Sequence, residues 1–191
     1  MPTLILYGGT KDDATGTSLC DTLGELLRTR GLAVDCKRLA ELHIRPCVGC
    51  FGCWLKTPGQ CQMRDDGVEI MRAMANCDGL ILLSPVTFGG YSSVLKRALD
   101  RILMLLWPLF VRVQGEMRHP LRYPPPRSFL AVGWQRQPDA ESAAVFARLA
   151  GRNARNMRTP INASLVLNGG QSPETQRRHL VELLTRLEAP V

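Results

Sequence analysis

The sequence predicts a three-layer α/β domain, in which helices cover both faces of a five-stranded parallel sheet. Three observations predict it. Five short apolar runs alternate with amphipathic stretches along the 191 residues. That alternation forces crossover connections, which only a parallel sheet with covered faces accommodates. Hydrophobic residues make up 45% of the chain and charged residues 21%, a balance that buries a full core and excludes a disordered or fibrous chain.

The first strand is Thr3–Tyr7, closed by Gly8-Gly9. A helix over 18–30 places Leu19, Leu23, Leu26 and Leu27 on one face and stops at Gly31. Residues 32–36 read as the second strand. Asp66 followed by Glu69 reads as a capping box that opens a helix with Val68, Met71 and Met74 inward. The third strand, 79–83, ends at Ser84-Pro85. Ser93 is expected to cap a helix carrying Val94, Leu95, Leu99, Ile102, Leu103 and Leu106 until Pro108 stops it. Residues 115–127, with Pro124-Pro125-Pro126, read as a long loop. A fourth strand over 128–133 leads to a helix from Asp139 to about Met157, with Val145, Phe146 and Leu149 inward. A fifth strand, 161–167, leads to a last helix begun by Ser172-Pro173 and carrying Leu180, Leu183, Leu184 and Leu187. Neither repeats nor low-complexity tracts interrupt this pattern, so residues 1–191 are expected to form a single domain. Right-handed crossovers at this length fit the flavodoxin-like strand order 2-1-3-4-5, with the binding crevice at the carboxyl ends of the strands.

The net charge is +7, from 24 Lys and Arg against 17 Asp and Glu. The cations are spread along the chain rather than gathered on one arm, which argues against a nucleic-acid partner and for a solvated surface. The longest uncharged apolar run, 102–111, is about half of what a bilayer needs, so no membrane association is expected. The N-terminus lacks a basic region followed by a leader-like apolar stretch, and a cytoplasmic location is expected. Seven cysteines, an odd number, argue against a disulfide framework. Cys20, Cys36 and Cys77 read as small core residues.

The loops expected to matter follow the first, third and fourth strands, 8–17, 84–92 and 133–138. The first, 8–17, joins a strand to a helix start. Its glycines, hydroxyls and free N–H groups make a phosphate cradle in physical terms, although it matches neither the P-loop nor the dinucleotide fingerprint. Asp12 and Asp13 oppose a phosphate unless they face water. The alternative is an ordinary polar capping loop. The second, 84–92, combines Pro85, Phe88, Gly89 and Gly90 at a strand end. Such a loop holds a flat heterocycle such as a flavin against its backbone; the alternative is a Gly-rich turn with a core Phe. The third feature is the cysteine run Cys47, Cys50, Cys53 and Cys61, spaced C-x2-C-x2-C-x7-C. Successive x2 spacings are closer to an iron–sulfur run than to a zinc site, whose two Cys pairs stand further apart. The alternative is a turn of reduced, metal-free cysteines beside a redox pocket.

Beyond these patterns, the sequence resembles a known family. The segment from Pro46 to Trp54, then Pro58-Gly59-Gln60-Cys61 and Asp65-Asp66, is similar to the central signature of the NAD(P)H-dependent FMN reductase and iron–sulfur flavoprotein branch of the flavodoxin-like superfamily. Cys77 to Gly90 and Leu95 to Arg101 continue it. The likeness runs from about residue 3 to 134 and is strongest over 46–101. It implies FMN, with NAD(P)H as co-substrate. On this likeness Thr10, Lys11, Gly16, Thr17 and Ser18 take the places of the phosphate loop. Pro85, Val86, Thr87, Phe88 and Gly89 take those of the ring-binding loop, and Gly133 and Trp134 those of the third loop. Thr10 stands where the family usually has Ser, Thr87 where Tyr is frequent, and the Asp12-Asp13 pair is a departure. Some relatives hold a [4Fe-4S] cluster on a cysteine run like this one, through positions matching Cys47, Cys50, Cys53 and Cys61; others share the cysteines without metal.

The expected activity is FMN-dependent NAD(P)H oxidoreduction. Electrons would pass from reduced nicotinamide through FMN to a small acceptor such as a quinone or free flavin, with no protein acid or base required. Arg118, His119 and Arg122 would line an acceptor site, grip a nicotinamide phosphate or simply be solvated. One rival is an iron–sulfur flavoprotein or electron carrier. Another is a non-catalytic nucleic-acid-binding module, which would be colourless and bind DNA with steep salt dependence. The apolar run 102–111, with Trp107, is expected to be buried in a homodimer.

Overall fold

The structure, a computed structural model, describes residues 1–186. Five parallel strands lie in the order β2-β1-β3-β6-β7: β1 (Thr3–Tyr7), β2 (Val34–Arg38), β3 (Gly79–Pro85), β6 (Ser128–Gln135) and β7 (Ile161–Asn168). Two further short strands, β4 (Val111–Val113) and β5 (Glu116–Arg118), pair antiparallel as a separate hairpin. Helices α1 (Ala14–Thr29) and α6 (Pro173–Thr185) cover one face of the sheet. Helices α3 (Gly67–Ala75), α4 (Ser93–Leu99) and α5 (Ala140–Met157) cover the other. The expected flavodoxin-like fold and strand order are those observed.

The two-residue period of the strands builds both cores. Leu4, Leu6, Leu80, Leu82, Phe129 and Ala131 point to the α3–α4–α5 layer. Ile5, Tyr7, Ile81, Leu83, Leu130 and Val132 point to α1 and α6. Leu19, Leu23, Leu26 and Leu27 of α1 are buried as their spacing predicts. Each such side chain contributes about 1.5–3 kcal/mol by leaving water. Truncating the central Leu82 to Ala would cost about 2–5 kcal/mol.

Local differences from the sequence expectation have physical causes. Helix α1 begins four residues before Ser18, because Asp13 caps it through Gly16 N–H at 2.9 Å. Strand β2 lies two residues later than 32–36. The capping box at Asp66 and Glu69 does not form. The Asp66 carboxylate accepts the His43 N–H at 2.7 Å, while Glu69 turns to Arg72. Ser92, not Ser93, caps α4: its Oγ accepts the Leu95 N–H and donates to Gly8 O at 2.6 Å. Helix α4 ends at Leu99, and a 3₁₀ turn over Asp100–Leu105 replaces its expected run to Pro108. Two carbonyls there serve other partners, Leu103 O accepting from the Trp54 indole and Leu105 O from Arg122 N–H.

The hairpin occupies part of the expected loop 115–127. Gln114 and Gly115 both have left-handed φ, 51° and 82°, the two-residue turn that suits a right-twisted ribbon. Leu187, expected on α6, lies outside the described residues.

Candidate functional site

Loops at the carboxyl ends of β1, β3 and β6 enclose a crevice of about 670 Å³, within the size range of cofactor sites. Thr10, Asp12 and Asp13 form one wall and run into Ala14 and Thr15 of the first turn of α1. Pro85 and Val86 stand opposite. Trp134, Gln135 and Arg136 follow β6, and Gly169 after β7 closes the far side. The N–H groups of Ala14 and Thr15 have no acceptor within the helix. The Asp13 carboxylate already takes the Gly16 N–H.

The floor is tightly fitted. Trp134 stacks on Tyr7 with ring centroids 6.1 Å apart. Gly16 sits against both rings: a Cβ there would stand 2.5 Å from the Trp134 ring and 2.6 Å from Tyr7 Oη. Burial pushes the Tyr7 hydroxyl above its ordinary pKa. A Cβ on Gly133 would come within 2.6 Å of Val86 Cγ2, so glycine lets the β3 loop lie flat on β6.

Beside the crevice, Thr87 and Gly90 exchange backbone hydrogen bonds of 3.0 and 2.8 Å around a tight turn. Phe88 and Gly89 both have left-handed φ, 49° and 75°. For a bulky residue such as Phe88 this is a strained conformation. The Phe88 side chain is 99% exposed, so it is no core residue.

Of the residues singled out from sequence, the crevice wall brings together Thr10, Pro85, Val86 and Trp134. Gly16, Thr17 and Gly133 lie beneath it as packing or backbone elements. Thr87, Phe88 and Gly89 form the adjoining turn. Lys11 and Ser18 are exposed and do not line this crevice. Sequence reasoning named neither Arg136, which lies in the expected crevice loop 133–138, nor Gly169. A cation just past the fourth strand and the Gly169-Gly170 pair past the fifth were the available signals.

Cys47, Cys50, Cys53 and Cys61 all carry free thiols and line a single small hollow. Gly49 and Phe51, both with left-handed φ, bend the chain around it and lead into the short helix α2 (Gly52–Leu55). Burial and the neighbouring sulfurs of Cys61, Cys47 and Cys50 push the Cys53 thiol up. Among the described residues no three His, Cys, Asp or Glu side chains stand close enough to hold a single metal ion. The free space is about 20 Å³, so the hollow is closed as it stands.

Arg101 lines the same hollow and is almost wholly buried. Its Nη1 donates to Asp65 Oδ2 at 3.1 Å and to Arg45 O at 3.2 Å. Asp65 is equally buried, with side-chain exposure of 0% against 1% for Arg101. Burial works against the Asp65 carboxylate. The hydrogen bonds from Arg101 and from the Arg45 and Gly67 N–H groups outweigh it and hold the carboxyl below its usual range. Nε and Nη2 of Arg101 are buried without a hydrogen-bond partner. An unmet buried donor costs about 1–3 kcal/mol, more when charged.

A second cavity, about 350 Å³, lies at the amino end of the sheet. Leu80, Met74, Met157, the hairpin residues Met117 and Arg118, and Pro124 to Pro126 line it. It is more apolar than the crevice but stands away from the strand ends where an α/β sheet places its chemistry. Elsewhere the expected core cysteines divide: Cys20 and Cys77 are buried, while Cys36 is half-buried with its sulfur 2.9 Å from that of Cys20.

A parallel sheet in the order 2-1-3-6-7, with a cofactor-sized crevice at its carboxyl ends beside a helix start, defines the flavodoxin-like class of α/β proteins. Within that class, the chain belongs to the NADPH-dependent FMN reductase family, whose model matches residues 1–158. Among curated proteins, it is 35% identical over 101 residues to an iron–sulfur flavoprotein of Methanocaldococcus jannaschii, covering 53% of this chain and 51% of that one. It is 32% identical over 81 residues to an iron–sulfur flavoprotein of Methanosarcina thermophila, covering 42% and 41%. The matches span about half the length of these relatives or less. Among solved structures, the fold resembles an NAD(P)H:quinone oxidoreductase from Methanothermobacter marburgensis, with TM-score 0.75, 13% identity, and coverage of 100% of this chain and 98% of that one. An FMN-dependent NADH-azoreductase from Bacillus anthracis in complex with FMN matches with TM-score 0.68 and 13% identity, over 99% and 100% of the two chains.

Proposed function

We propose that this chain is an FMN-dependent NAD(P)H oxidoreductase that passes electrons from reduced nicotinamide through FMN to a small acceptor such as a quinone or free flavin. The observation that carries the reading is the crevice itself, where a helix start with free N–H groups adjoins a main-chain wall at the strand ends. FMN supplies the hydride and electron chemistry when bound. The chain's residues bind and orient. Thr10 and the Ala14 and Thr15 N–H groups receive the phosphate end, above the Gly16–Thr17 turn. Pro85 and Val86 offer backbone to the ring, with Thr87, Phe88 and Gly89 on its flank. Gly133 and Trp134 support the floor, and Arg136 is the crevice's cation. Lys11 and Ser18, which are not part of the crevice lining, are assigned no contact. The reading places the chain in the cytoplasm, where its thiols stay reduced, and supports neither a membrane nor a nucleic-acid partner.

The experiment is anaerobic stopped-flow on the FMN-loaded chain. Mixing with NADPH or NADH should bleach the flavin absorbance, and a quinone should restore it. Loaded protein that no nicotinamide bleaches contradicts the reading.

A second reading rests on the cysteine hollow: the same chain would also hold a [4Fe-4S] cluster. The donor set fits such a group. Four unpaired thiols face one hollow, and a buried guanidinium there has two N–H-bearing nitrogens unmet. The hollow, at about 20 Å³, is smaller than such a group, so its walls would have to part to admit it. About four irons and a broad visible band in protein reconstituted with iron and sulfide would support it; reconstituted protein without iron would end it.

A further inference from the structure

Arg101 is ordinarily positive at any working pH, and here it is sealed from water. Only one of its three nitrogens is satisfied, through Asp65 and Arg45 O. The other two are without partners, and the side chain lines the hollow of the four cysteines. Buried donors are almost always met, and a guanidinium meets soft anionic sulfur well because its planar fork carries several N–H groups. Asp65 fixes the orientation of that fork, and Gly67 lies against it, where a Cβ would stand 3.1 Å from Nη1.

We propose that Arg101, held by Asp65, donates its Nε and Nη2 N–H groups to the sulfur-rich group that Cys47, Cys50, Cys53 and Cys61 hold, and thereby raises its reduction potential. This rests on the cluster reading above. Hydrogen bonds to the sulfurs and nearby positive charge stabilise the reduced, more negative form, so their loss lowers the potential. Arg45, which is half-exposed and reaches Asp65 at 3.7 Å, brings a similar charge without buried donors. It separates the effect of donation from that of charge alone.

The test uses the full chain, reconstituted anaerobically with ferrous iron and sulfide and reduced by dithionite. In wild-type protein carrying ¹⁵N-guanidino arginine, pulsed EPR of the reduced cluster should show ¹⁵N coupling. Arg101→Lys keeps a cation opposite Asp65 and should abolish that coupling. The double variant Asp65→Asn/Arg101→Gln removes both charges together. Both should bind wild-type amounts of iron, with reduction about tenfold less favourable, a fall of about 59 mV for one electron. Arg45→Gln should shift the potential by much less. Wild-type protein that binds no iron ends the cluster reading and this inference with it. Iron bound without ¹⁵N coupling in the wild type overturns the inference alone, whether or not the variants fold. So does an Arg101→Lys potential equal to that of the wild type.

Discussion

Asp65 and Arg101 sit side by side with almost no exposure, so neither tolerates losing the other. Asp65→Asn should cost about 3–5 kcal/mol by leaving the guanidinium uncompensated, read as a lower urea midpoint. An unchanged midpoint would mean that water reaches the pair. Because the folded carboxyl lies below its unfolded value of 3.8, its stabilisation is present above that pH and drains away as pH falls through the folded value. The alkaline limb has the opposite cause. Burial pushes Cys77 up to about 11 and Tyr91 to about 12, whereas their unfolded values are 9.0 and 10.0. The native state then holds more protons, so urea midpoints should decline as pH rises from about 9 through about 12. At the crevice floor, Gly133→Ala forces a methyl against Val86 and Phe146. It should destabilise by about 1–3 kcal/mol and weaken FMN binding in a fluorescence titration. Unaltered binding would show that the floor does not shape the site.

The start of α1 serves two masters. Asp13 caps the helix through the Gly16 N–H, yet its carboxylate stands beside the N–H groups to which the proposed reading brings a phosphate. Asp13→Ser retains a capping oxygen and removes the like charge. The expected result is an unchanged melting temperature and FMN binding tighter by about fivefold, the worth of roughly 1 kcal/mol at a helix terminus. Weaker binding would place the phosphate elsewhere. At this scale the sequence was a good guide wherever one strong signal acted alone. The leucine stripe of α1, the helix starts at Asp139 and Ser172, and the apolar strands other than β2 lie where their patterns put them. It misled where tertiary partners captured local groups. His43 drew off Asp66 from its capping box, and beyond Leu99 the chain tightens into a 3₁₀ turn whose Leu103 and Leu105 carbonyls meet the Trp54 indole and the Arg122 N–H. The Gln114-Gly115 hairpin was legible in principle as a two-residue turn, but the proline run beyond it masked the alternation.

For the whole molecule, exposed apolar side chains occur on the cysteine segment, at Val48, Phe51 and Leu55, and as a larger group on the excursion between α4 and β6. Trp107, Leu109, Phe110 and Met117 are all exposed there, and Phe110 adjoins the His119 ring. We propose that a second copy of the chain covers this surface. Sedimentation should show a dimer, and Phe110→Glu should shift it toward monomer; a wild-type monomer at micromolar concentration would refute the dimer. The crevice's place was legible from topology alone, since order 2-1-3-4-5 puts it at the carboxyl ends of the first, third and fourth strands. Its individual contacts were not. Loop length decides whether Lys11 faces in or out, and the cation at Arg136 and the glycine at Gly169 mark loop positions without reporting that the two line one crevice. The buried charge at Arg101 was equally hidden, because its partner Asp65 lies 36 residues away in sequence.

The most direct test compares FMN with riboflavin in a fluorescence-quenching titration of the flavin-free chain. If the crevice holds the ring by main chain and the helix start holds the phosphate, both should bind at one per chain, FMN at least about tenfold more tightly. Failure of FMN to bind, or equal affinity for the two, would contradict the account.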